Sequence, residues 1–166
     1  IKNMDTIKLK GHVKTYLFPA EKIPNKEAFL KLNESQRKEY LVDEGDNLVV
    51  NSGLLSIAQY ITGQATTLPG FIQVGTNGSG VTAVETVLAT PLTPRETCYA
   101  KYAVNGDMHF DAFFLPATAA GTWAEAGLFT ALTGGIMIAR KVLSSTFVKT
   151  TGNTAIVMWK ISVTAS

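Results

Sequence analysis

The sequence contains a single cysteine, Cys98, and only two histidines, His12 and His109. One cysteine excludes a disulfide within the chain, and together with two scattered histidines it cannot supply the ligands of an ordinary zinc site. Nucleophilic catalysis requires a base within reach of a serine or cysteine, and no nucleophile-elbow motif is present. We therefore expect no catalytic residues, no bound metal and no cofactor.

Charge is also scarce, since charged residues make up 17% of the chain and hydrophobic residues 46%. So little charge predicts that neighbouring subunits cover some apolar surface, as in a homo-oligomer. The net charge of +2 gives no reason to expect a specific nucleic-acid partner. The first residues lack the apolar core of a signal peptide, and no run approaches the roughly 20 apolar residues of a membrane helix. We expect assembly in a cytoplasm and no membrane partner.

The first segment alternates between apolar and basic residues with a period of two, which predicts a half-buried strand ending near Pro19. Its basic side presents Lys8, Lys10, His12 and Lys14. Two interpretations are open. In the first, lysines keep an edge or surface strand soluble and guard it against unwanted pairing. In the second, this stripe contacts an acidic patch on a neighbouring subunit, with apolar burial supplied by Phe29 and Leu32.

Helix formers with a thin apolar stripe fill residues 24–40, which predicts a surface helix or a mobile arm. Residues 43–47, DEGDN, crowd three carboxylates without the spacing of a calcium loop, so a solvated turn is predicted. We divide the chain into an N-terminal strand and helical arm, residues 1–46, and a β-rich core, residues 47–166, within one globular unit.

A short buried helix is predicted next, with Asn51 or Ser52 as its cap and Gly63 at its C-terminal end. The residues expected to line its buried face are Leu54, Leu55, Ala58 and Ile61.

The remainder alternates between strands and turns. FIQVG is a strand, Asn105-Gly106 joins the strands 95–104 and 107–115 into a hairpin, and Gly134-Gly135 marks a second hairpin. In the closing strand Trp159 shares a face with Val157 and Ile161 and is predicted to lie in the core. Several strands of similar length with regular turns predict a mainly β protein, an antiparallel sandwich or barrel, with one or two short helices near the N-terminus.

The second hairpin places Glu125 and Arg140 on one face of the sheet, provided that the turn lies between residues 131 and 136. A catalytic acid with an anion clamp would need a second carboxylate or base, and none is near in sequence. We predict that the pair is structural, through an ion pair or carboxylate-to-backbone bonds. Gly127, inside the same strand, predicts a bulge or a close approach of the backbone.

Several segments together resemble a known family. In order these are NLVVNSGLLSIAQYI, LPGFIQVGTNGSG, ETVLATPL, WAEAGLFTALTGGIMIARKVLS and TAIVMWKISV. Their order and spacing resemble small bacteriophage virion proteins, and the N-terminal modules of phage tail-collar fibre proteins show a looser version.

The resemblance implies a non-enzymatic structural protein located in the virion. Its partners would be other virion proteins, and the neighbouring subunit that the basic stripe contacts would be one of them. Two locations compete, and we favour capsid decoration, with the major capsid protein as partner. The alternative is a neck, collar or baseplate component that joins tail proteins to fibres. A third class is a glycan-binding adhesion module, in which Trp123 and Tyr99 would stack on sugars.

Overall fold

Eight antiparallel strands close into a barrel in the structure, a computed structural model that describes residues 7–165. The strands are β1 (Ile7–Pro19), β2 (Leu41–Val49), β3 (Phe71–Gly75), β4 (Pro91–Val104), β5 (Asp107–Phe114), β6 (Gly121–Phe129), β7 (Met137–Lys149) and β8 (Asn153–Ala165). Around the barrel they follow the order β1-β2-β7-β6-β3-β4-β5-β8. The prediction of a mainly β, antiparallel fold is confirmed, and of its two forms the chain adopts the barrel.

Strand β1 is hydrogen-bonded to β8 along its whole length and to β2 from Gly11 to Tyr16. It is an interior strand over that stretch, whereas Lys8 and Lys10 precede it and have no backbone pairing with β2, so protection of an edge stays a prediction for these two lysines. The predicted turn at residues 43–47 is wrong, because these residues belong to β2. These polar residues form a strand because they pair with β1: Asp43 lies opposite Thr15, and Gly45 lies opposite Val13. Strand β2 thus runs across the predicted boundary between residues 46 and 47.

The barrel interior is filled by apolar side chains that alternate along each strand. Trp159 is fully buried, lies opposite Val13 of β1 and Phe110 of β5, and shares the core with Val157 and Ile161, as predicted. The Asn105-Gly106 turn is confirmed as well, since both residues have the positive φ angles that this two-residue turn requires. Strands β6 and β7 form the second predicted hairpin.

Two short helices, α1 (Lys26–Leu30) and α2 (Glu34–Lys38), replace the single helix predicted for residues 24–40. The interruption has a local cause: Asn33 forms a capping box with Gln36 and so starts a new helix. The arm packs on the outside of the barrel, where the ring of Phe29 lies 5.7 Å from that of Phe18.

The third helix, α3 (Asn51–Ile61), follows β2 and lies on the outside of β7. Gly63 follows it with a φ of +73°, as predicted, but the N-cap is Val50 rather than Asn51 or Ser52. The predicted buried face is wrong. Small residues, Gly53 and Ser56, face the barrel, and the large apolar ones expected to be buried face outward: Leu54, Leu55 and Ile61.

Candidate functional site

The buried pair Glu125 and Arg140 is the strongest candidate for a site. Glu125 lies opposite Val142 and Arg140 lies opposite Gly127, so the two side chains are diagonal neighbours on one sheet face. Nη2 of Arg140 is 2.8 Å from Oε2 of Glu125, and Nε donates to the same oxygen at 2.9 Å. The ion pair considered from the sequence is therefore present.

Arg140 also binds the loop between β3 and β4. Its Nη1 donates to both carboxylate oxygens of Glu85, at 3.1 and 2.9 Å, and to the carbonyl of Gly80. Its Nη2 donates to the carbonyls of Asn77 and Ser79. Oε1 of Glu125 accepts a bond from the backbone of Thr90 at the end of the same loop.

The three charged side chains, Glu85, Glu125 and Arg140, form one hydrogen-bonded cluster. Glu85 is the second carboxylate that sequence reasoning missed, because 55 residues separate it from Arg140. Both carboxylates are bound to one guanidinium. Neither carboxylate is left as a general base. The geometry is that of a framework holding residues 76–90 on the barrel wall.

Gly127 belongs to the same framework. A Cβ atom there would lie 2.8 Å from the Phe129 ring and 3.1 Å from a methyl group of Leu88. The predicted close approach is therefore made by side chains of the covering loop and of β6, and not by another backbone. The register of β6 against β7 does shift, between Leu128 and Phe129.

The basic stripe of β1 is paired with acidic residues of β2. His12 bonds Asp46 through Nδ1 at 3.1 Å and Glu44 through Nε2 at 3.0 Å. Lys10 lies 3.4 Å from Asp46, and Lys14 lies 3.6 Å from Glu44. The bonds from His12 lower the pKa of both carboxyl groups. This surface is a mixed-charge ladder in which acidic side chains of β2 lie beside Lys10, His12 and Lys14. The contact with a neighbouring subunit stays a prediction.

The apolar residues of the predicted contact lie in the cluster between the arm and the barrel. Phe29 is buried against the barrel, and Leu32 packs in the same cluster. Lys8 is exposed at the start of β1. The structure therefore brings the predicted interface residues together only in part, because Phe29 is buried and Leu32 is partly buried away from the β1 stripe.

Two lysines are buried in the barrel wall and were not singled out from the sequence. Lys141 lies 3.2 Å from Asp43, which also accepts bonds from the backbone of Ser144 and Ser145. Lys149 donates to the carbonyls of Leu115 and Pro116, and burial lowers its pKa to about 8. No sequence pattern marks these residues, since a lone Lys or Asp within a strand usually faces water.

The remaining candidates are packed within the fold. Cys98 is buried, and burial raises the pKa of its thiol to about 12, which disfavours the reactive thiolate form. Trp123 is fully buried and donates to the carbonyl of Ala119. Tyr99 packs on the arm cluster. Tyr102 is an exposed aromatic residue, and its ring stacks on that of His109 with the ring centroids 4.6 Å apart.

Within residues 7–165, no group of three or more His, Cys, Asp or Glu side chains is placed to hold a metal ion. In the same range, no helix has the length and apolar character needed to cross a membrane. The chain matches no family model, no curated protein and no solved structure.

Proposed function

We propose that this chain is a non-enzymatic structural protein of a bacteriophage virion, and specifically a decoration protein that binds the major capsid protein on the capsid surface. The observation that carries the proposal is where the segments that carry the resemblance lie in the fold. Segments far apart in sequence meet in one framework around Arg140, where Glu125, Glu85 and the loop at residues 76–90 are bonded together. They support a scaffold and leave no reactive group unpartnered within it.

The other segments that carry the resemblance also have scaffold roles. The helix segment contributes Gly53, which contacts the backbone of Ile138 so closely that no side chain fits between them. The closing segment contributes Trp159 to the core. A structural subunit of an assembly needs a rigid frame that presents its loops and its outer helix to neighbouring subunits.

The proposal places the chain on the capsid and not in the neck or baseplate. The number of copies of the chain per particle distinguishes these locations. Antibodies raised against the purified chain should label heads in electron micrographs of the phage that encodes it. Quantitative mass spectrometry of purified particles should then give hundreds of copies. A handful of copies at one vertex would assign the chain to the neck or tail. Its absence from purified particles would overturn the proposal.

Binding can be tested directly with particles from a phage that lacks the gene. Purified chain added to such particles should sediment with them and saturate at a fixed stoichiometry. The destabilised variant Arg140→Ala serves as a control. Because Arg140 has a structural role, the variant should lose binding only in proportion to the fraction of its molecules that are unfolded.

Glycan binding has less support. One of its two proposed stacking residues, Trp123, is fully buried. A glycan array probed with the purified chain tests the remaining surface, and saturable binding that Tyr102→Ala abolishes would favour an adhesion module over decoration.

A further inference from the structure

The outer face of α3 is a feature that the framework leaves unexplained. Three apolar side chains are exposed on the side of the helix away from Gly53: Leu54 is 46% exposed, Leu55 58% and Ile61 78%. Tyr60 is 46% exposed, but it follows Gly53 by two helical turns and lies on the barrel side of the helix. Leu68, in the loop that follows, is 50% exposed. Exposed apolar residues are ordinary when scattered. Here they are concentrated on one short helix.

The helix is oriented this way by its small residues. Gly53 lies against the Ile138 backbone, and Ser52 donates to the carbonyl of Met137 at 2.9 Å. Any larger residue at Gly53 would push the helix off the strand. Rotating the helix to bury its leucines would therefore break this contact. The sequence puts its bulky residues on the outside and fixes them there.

The same part of the chain is almost free of charge. Between Asn47 and Pro94, Glu85 is the one charged residue, and it is bound to Arg140. A partner surface for α3 must therefore be apolar and uncharged as well, because a charged surface would lose its hydration and gain no counter-charge. A second copy of this chain offers such a surface.

We propose that the outer face of α3 is a self-association interface, in which the helix packs antiparallel against α3 of a second copy. Leu54 and Ile61 are separated by two helical turns with Ala58 between them. A two-fold axis near Ala58 places Leu54 of one copy beside Ile61 of the other. The small side chain of Ala58 lets the helices approach to the usual 8–10 Å.

Leu54, Leu55 and Ile61 share the outer side of the helix, and the largest apolar patch on a protein surface is often a contact site. An isologous contact buries the same patch on both copies. The proposal concerns the free protein in solution and does not depend on the virion role.

The test is the oligomeric state of the purified chain. We expect sedimentation equilibrium to give twice the mass of one chain, and Leu55→Glu and Ile61→Glu each to weaken the dimer on the order of a hundredfold or more, since each buries two unpaired charges. Val104→Glu is the matched control: Val104 is 48% exposed at the tip of the β4–β5 hairpin, and its replacement should leave the dimer intact.

A second variant needs no added charge. Ala58→Cys should form a disulfide between two copies under mild oxidation, whereas Val104→Cys should not, and the buried Cys98 should stay reduced in both. A monomeric wild-type chain would overturn the proposal. So would a dimer that survives both glutamate variants and gives no Ala58→Cys cross-link. If the chain is monomeric but Leu55→Glu abolishes particle binding, the face belongs to a virion partner instead.

Discussion

Nη2 of Arg140 lies 2.8 Å from Oε2 of Glu125, and both side chains are buried. Removing one member of a buried pair leaves an uncompensated charge, which is more costly than the pair itself is stabilising. Arg140→Ala should therefore reduce the free energy of unfolding by about 3–5 kcal/mol in urea titrations.

The same variant should release the loop at residues 76–90, because Arg140 binds three of its carbonyl groups and Glu85. Limited proteolysis should then cut within this loop first. Lys160→Ala is the control: Lys160 forms a solvated pair with Asp107 at 3.6 Å, so its loss should cost less than about 1 kcal/mol. Equal stability of the two variants would contradict a framework role for Arg140.

Gly127→Val should destabilise the protein by about 1–3 kcal/mol, because the added methyl groups meet Phe129 and Leu88. Gly80→Val offers the matched comparison, since a Cβ at Gly80 meets nothing within 4 Å. Thermal melts of both proteins decide the matter. If the two variants melt at the same temperature as wild type, the packing around Gly127 tolerates a side chain and this argument fails.

Sequence reasoning succeeded where structure is set locally. Alternation identified β1 and β8, and Asn105-Gly106 identified its hairpin, because strand pleat and turn angles depend on neighbouring residues. It also placed Glu125 and Arg140 on one face, since a hairpin fixes its own register.

Prediction from the sequence failed where contacts between distant segments determine the structure. The polar residues of β2 suggested a turn, but pairing with β1 and β7 makes them a strand. The apolar face of α3 suggested burial, but Gly53 fixes the opposite face on β7. Glu85 joins the candidate site from a loop that no local pattern connects to Arg140.

Trp159→Ala should cost about 3–5 kcal/mol of stability, because a fully buried tryptophan leaves a large cavity in the core. In a Trp123→Phe background, the fluorescence of Trp159 should have the short-wavelength maximum of a buried indole and should shift to longer wavelength on unfolding. Tyr102→Ala, at a residue that is half exposed, should cost far less. A water-like emission maximum in the folded state would show that Trp159 is at the surface.

Asp111 should make stability depend on pH near neutrality. It is buried on β5, and burial raises its pKa from 3.8 to about 6, opposed by the positive charge of Arg37. A carboxyl group whose folded pKa is raised binds its proton more tightly in the folded state than in the unfolded state. Its ionisation therefore destabilises the fold as pH rises through 4 to 6, and the penalty is fully present at pH 7.

Asp111→Asn removes this charge at nearly constant shape. The variant should be more stable than wild type at pH 7, by on the order of 1–3 kcal/mol, and the difference should vanish below about pH 4, where Asp111 is protonated in both states. Urea titrations of both proteins between pH 4 and pH 8 measure the difference directly. Asp107→Asn is the matched control, since the pKa of half-buried Asp107 is lowered by its bonds to Ser162 and Lys160. It should show no gain at pH 7. A stability difference for Asp111→Asn that stays constant across this range would mean that Asp111 keeps an ordinary pKa in the folded protein.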